Sequence, residues 1–109
     1  MLKKYSIGKK DFAYIYKKGK RINLGNFTII FASNHKIDSQ FSIIVSTKVE
    51  RLATRRNWMK RQIKARLINC IDKIQKGNYY LILVRNSFYQ SAESEKLIEG
   101  LLYKLQNIR

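Results

Sequence analysis

Thr54-Arg55-Arg56-Asn57-Trp58-Met59-Lys60-Arg61-Gln62-Ile63-Lys64-Ala65-Arg66-Leu67 holds six basic residues among the twelve from Arg55 to Arg66 and no acidic one. Wound at about 100° per residue, Leu52, Met59, Ile63, Leu67, Cys70 and Ile74 fall within a sector of less than about 90°. The stretch therefore reads as one amphipathic helix that runs past its basic half to a stop at Gly77. Asn57, Lys60, Arg61 and Lys64 lie on one flank of the apolar stripe, Arg66 and Lys73 on the other. Arg55 and Arg56 stand in the first turn, where the macrodipole favours acids by about 0.3–1 kcal/mol each. Folding alone does not select them. A helix N-terminus also presents free backbone N–H groups, so cations there make a site suited to phosphate. A merely solvated face would mix signs in i,i+4 pairs, and this stretch supplies no acid.

The wider composition agrees. The 109 residues suit one domain, 1–109, with no proline, five scattered glycines, no repeat and no low-complexity linker. At 45% apolar residues the chain can bury a core, so disorder is not expected. A net charge of +16 points to an acidic polymer, with nucleic acid ahead of an anionic membrane surface. Met1 to Ser6 lead into further lysines instead of an apolar signal segment, and no apolar run is long enough to span a bilayer. A single cysteine, Cys70, lies on the helical stripe and reads as a core residue in a reducing cytoplasm.

Taken in order, residues 9–18 read as a short helix stopped by Gly19, with Phe12, Ile15 and Tyr16 on one face. Residues 20–24 suggest a short strand. Phe27 to Ala32, apolar on both faces, suggests a central one. Residues 34–39 read as a hairpin loop, which would pair 27–32 antiparallel with 41–46; His35 is a loop residue there. After Gly77-Asn78, Tyr79 to Val84 is the most apolar strand, and a helix between two strands implies a parallel crossover. Ser91 is placed to cap a last helix with Glu93 and Glu95 in its first turn and Leu97, Ile98, Leu101, Leu102 and Leu105 on its buried side, Gly100 being its weak point. The expected fold is α+β, a two-layer sandwich in the order α-β-β-β-α-β-α, with a four-stranded mixed sheet and a crossover helix that carries the basic motif.

Two segments resemble the bacterial ribonuclease P protein component. Ala53, Arg56-Asn57, Lys60-Arg61 and Lys64 are similar to that family's Ala-Val-x-Arg-Asn-Arg-x-x-Lys-Arg-x-x-Arg run, with Thr54 for Val, Trp58 for the third core residue and Lys64 for the last Arg. Thr47-Lys48-Val49-Glu50 looks like the family's Lys-Lys-x-Gly, with one extra residue before Ala53 and no glycine. Asp11-Phe12, Tyr16 and Gly19 match a second family segment. The similarity spans about residues 3 to 105. It implies an accessory protein subunit of an RNA-based endoribonuclease, which removes the 5′ leader of precursor tRNA with magnesium bound mainly by the RNA subunit.

The resemblance further implies that ribonuclease P RNA meets Arg56, Asn57, Lys60, Arg61 and Lys64, with Lys48 as a helper; Arg55 joins this RNA-binding set from its place in the first turn. Phe12 and Tyr16 would hold the precursor-tRNA leader, and one protein would serve each RNA. It also implies a left-handed crossover at the basic helix, where the general rule expects a right-handed one; the sequence leaves both open. The residues read by themselves agree with a binder. The seven carboxylates (Asp11, Asp38, Glu50, Asp72, Glu93, Glu95, Glu99) show no spacing that gathers a metal site, and neither a Gly-rich phosphate loop nor a nucleophile with a base is present. The competing reading is a ribosomal or other structural RNA-binding protein without a role in cleavage. Trp58 either stacks on RNA or covers a loop.

Overall fold

The computed structural model describes residues 5–108. Residues 1–4, part of the segment read above for targeting signals, lie outside the described residues. A 3-10 turn at Lys9–Asp11 leads into α1 (Phe12–Lys18), followed by β1 (Lys20–Asn23), β2 (Phe27–Ser33), β3 (Gln40–Val45), α2 (Ala53–Cys70), β4 (Asn78–Val84) and α3 (Ser94–Gln106). The α+β order α-β-β-β-α-β-α is therefore the one the sequence implies.

The four strands lie in the order β1-β2-β4-β3. β2 pairs antiparallel with β1 and β4, whereas β3 pairs parallel with β4, joined to it through α2. The expected β2–β3 hairpin does not form: β4 inserts between them, with Ile29 opposite Ile82 on one side and Ile43 opposite Ile82 on the other. The physical reason is burial. β4 is the strand with no polar face to give to solvent, so it takes an interior place, while β3 alternates half-buried and buried residues as an edge strand does. The 34–39 connection is closed by buried Asn34, whose Nδ2 donates to Asp38 O at 2.9 Å and whose N–H donates to Gly77 O at 2.9 Å, the latter at the entry of β4.

The strand faces alternate. Phe27, Ile29, Phe41, Ile43, Val45, Tyr80, Ile82 and Val84 form the main core with Met59, Ile63 and Leu67 of α2 and Ile98, Leu101, Leu102 and Leu105 of α3. This is the two-layer sandwich. On the sheet's other face, Ile30, Tyr79 and Leu81 pack with Ile7 and with Ile15 of α1. That helix has only seven residues, so it leaves part of its face open. Gly19 ends it in extended backbone with φ −75°, and its N–H donates to Ile15 O at 2.7 Å.

Several boundaries move. α2 ends at Cys70 and a 3-10 turn covers Ile71–Lys73, so Ile74 reaches the core from extended backbone and not from the helix. Leu52 is not on the buried stripe; it is the residue before the helix and stands 50% exposed. Cys70 is half-buried at the core's edge. Ser91 caps a turn instead of α3: its Oγ accepts from Glu93 N–H, and the helix begins at Ser94.

Candidate nucleic-acid interface

Between α1 and the C-terminal ends of β3 and β4, the uncovered part of the second sheet face forms an open groove of about 400 Å³. Ile44, Leu83 and Val84 are among its lining residues, along with Tyr16 of α1 and the cations Arg21, Lys48 and Arg85. Tyr16 is 43% exposed. Phe12, the other aromatic singled out in the sequence, packs against the Ile7, Ile15, Ile30, Tyr79 and Leu81 cluster, as Ile44 and Leu83 do. The i,i+4 pair thus divides: Tyr16 faces the groove and Phe12 mainly fixes the helix beside it.

Lys48 belongs both to this groove and to a shallower hollow it shares with Glu50, Arg51 and Arg55. The 46–52 segment therefore joins the groove to the head of α2. Glu50 organises that joint. Its Oε2 accepts from Leu52 N–H at 3.3 Å and its Oε1 from the Ser87 hydroxyl at 3.2 Å. Arg56 turns back on the same segment, with Nη1 donating to Glu50 O and Arg51 O, each at 2.9 Å. Where the sequence puts Arg56 on RNA, its guanidinium braces the loop through at least one of its nitrogens.

Along α2 the flanks separate by role. Arg66 pairs with Glu95 of α3 at 3.3 Å, the one ion pair among the described residues, so one cation of the basic stretch has an acidic partner after all. An exposed pair of this kind contributes no more than about 1 kcal/mol. Lys60, Arg61 and Lys64, with Asn57, occupy the other flank with no side-chain hydrogen bond to protein among the described residues. Asn57 and Arg61 are exposed, Lys60 and Lys64 half-buried along their stems.

Trp58 covers a loop. Its ring sits edge-on to Tyr89 at 5.3 Å and tilted against Phe88 at 6.2 Å, both in the connection between β4 and α3. Arg55 lies over the Tyr89 ring, 5.0 Å from its centroid; at an exposed site such a contact is worth about 0.5–1 kcal/mol. Sequence reasoning missed Arg21, Ile44, Leu83 and Arg85 in the groove and Tyr89 beside α2. One signal was available for the groove: strands apolar on both faces, with only a short helix to cover the second. Nothing in local sequence marks Tyr89, because its partners lie on another element. His35 is an exposed loop residue with φ 57°, and among the described residues no three His, Cys, Asp or Glu side chains gather as metal ligands. None of the helices described is long and apolar enough to cross a membrane.

An open apolar groove with an aromatic and three cations, together with a basic flank of α2 that finds no acid among the described residues, defines a small α+β protein of the polyanion-binding class. The ribonuclease P family model matches residues 2–107, and the chain belongs to the ribonuclease P protein family. It is 33% identical over 99 residues to the ribonuclease P protein component of Picosynechococcus, covering 91% of this chain and 81% of that one. Against the Synechocystis component it is 37% identical over 76 residues, covering 69% of this chain and 61% of that protein. The solved ribonuclease P protein of Thermotoga maritima is similar with a TM-score of 0.86 at 27% identity, covering 95% of this chain and 97% of that structure. Membership carries a place in tRNA processing and an RNA partner within a ribonucleoprotein.

Proposed function

We propose that this chain binds the ribonuclease P RNA through the Asn57, Lys60, Arg61 and Lys64 flank of α2 and the single-stranded 5′ leader of precursor tRNA in the groove. In doing so it promotes leader removal by the catalytic RNA. The observation that carries this reading is the joint at Lys48, which lines the groove and the approach to α2 at once. A strand leaving the groove at Lys48 enters the hollow that Arg51 and Arg55 also line, at the head of the basic helix. Unpaired bases of any sequence can stack on Tyr16, at about 1–3 kcal/mol per base, while Arg21, Lys48 and Arg85 follow the phosphates. Asn57 adds what lysine lacks, a donor and an acceptor on one amide. Magnesium, held mainly by the RNA subunit, supplies the hydrolytic chemistry there. The protein's part is binding and placement.

The test compares a holoenzyme's affinity for precursor tRNA and for mature tRNA, with the wild-type chain and with Tyr16→Ala. The exposed tyrosine can be removed without opening the core. Loss of one stacked base should weaken precursor binding by about fivefold or more and leave mature tRNA unchanged. Equal effects on both tRNAs would remove the leader from the groove.

A further inference from the structure

The connection between β4 and α3 carries side chains that this reading does not use. Phe88 is buried and its N–H meets the Met59 sulfur at 3.3 Å; Trp58 rests on Phe88 and meets Tyr89 edge to face; Arg55 lies over Tyr89. The series climbs from the core to solvent and ends on a cation. Arg55 is exposed and makes no side-chain hydrogen bond or ion pair to protein among the described residues. Arg56, one residue on, spends Nη1 on loop carbonyls. A guanidinium over a ring keeps its in-plane N–H fork open, and a stacked arginine has less rotamer freedom left to lose on binding.

We propose that Tyr89, backed by Trp58, is a positioning residue that holds the Arg55 guanidinium at the head of α2 for one RNA phosphate. The inference rests on the RNA-binding reading above. It makes the β4–α3 connection part of the interface although Tyr89 itself touches no RNA. Lysine at position 55 would keep the charge and lose the planar fork.

The experiment measures affinity of the full chain for ribonuclease P RNA, and its salt dependence, in a double-mutant cycle. Arg55→Ala should weaken binding by about tenfold and lower the salt slope by about 1, as loss of a phosphate contact does. Tyr89→Leu should weaken it by about threefold with the slope kept, Tyr89→Phe should restore wild-type affinity, and Tyr89→Leu should cost nothing further once Arg55 is alanine. Arg55→Lys, which cannot disturb the core, should lose about threefold in the wild-type background and nothing further when combined with Tyr89→Leu. Independent, multiplying effects of the two positions, or a Tyr89→Phe variant as weak as Tyr89→Leu, would overturn the proposal. Should Tyr89→Leu not fold, an Arg55→Lys variant as tight as wild type overturns it equally. A wild-type chain with no salt-dependent RNA binding would overturn the functional reading as well, so the two failures are told apart.

Discussion

Gly19 ends one helix and Gly100 sits inside another, and their surroundings give them opposite consequences. A Cβ on Gly19 would lie 2.5 Å from Ile15 O and 2.6 Å from Ile30 Cγ2, where α1 turns down onto β2. Gly19→Ala should therefore lower stability by about 1–3 kcal/mol in thermal or denaturant melts. A Cβ on Gly100 meets nothing within 4 Å in the middle of α3, so Gly100→Ala should raise stability by about 0.5–1 kcal/mol by the same measurement. Tyr80 sets a pH limit. Its hydroxyl donates to Gln75 O at 2.9 Å and accepts from Asn78 Nδ2 at 3.1 Å, and burial pushes the phenol above its ordinary value of about 10, against a smaller opposite pull from Asn78. A raised folded-state value stabilises fully below about pH 10 and is lost as pH rises through that folded value. The melting temperature should accordingly hold up to about pH 9 and fall above about pH 10, and Tyr80→Phe should remove this residue's share of the fall. At this scale the sequence showed residue types well and partners poorly. Trp58 and Arg56 were visible as unusual, but the loops they hold belong to contacts that only the folded chain brings near.

The elements were legible wherever one period ruled. The α2 stripe of Met59, Ile63 and Leu67 is buried as its spacing implied, and β4 reads as the most enclosed strand from its composition. What failed was adjacency. The 34–39 loop suggested a hairpin of β2 with β3, but a short loop does not fix the partner, and the alternation in β3 suits the edge of a parallel pair equally. The end of α2 failed for a related reason: Ile74 satisfies a helical stripe and an extended approach to the core equally. The flanks of α2 should behave differently under substitution. Lys60→Ala, Arg61→Ala and Lys64→Ala should each lower the salt slope of RNA binding by about 1, whereas Glu95→Gln should shift stability by at most about 1 kcal/mol and leave that slope unchanged. Binding titrations at several salt concentrations, paired with melts, check both.

Over the whole molecule, the +16 charge pointed to a polyanion from composition alone, and the folded chain shows where that charge is free to act. α2 and α3 share one sheet face while short α1 leaves the other partly open, so an apolar groove and the head of the basic helix meet at the 46–52 joint. The basic half of this arrangement was readable as a motif. The groove was not, because Arg21, Ile44, Leu83 and Arg85 come from three separate stretches that the sheet order brings together. If the chain makes six to ten phosphate contacts, its affinity for ribonuclease P RNA should fall by about 10³–10⁵ between 50 and 200 mM salt. The most direct test of the central claim is 5′-leader cleavage of a precursor tRNA by a bacterial ribonuclease P RNA at low magnesium, run without the protein, with it, and with Arg61→Ala. Stimulation by the wild-type chain that drops with Arg61→Ala is the expected result. Tight RNA binding without stimulation of cleavage would contradict the account and leave a structural RNA binder in its place.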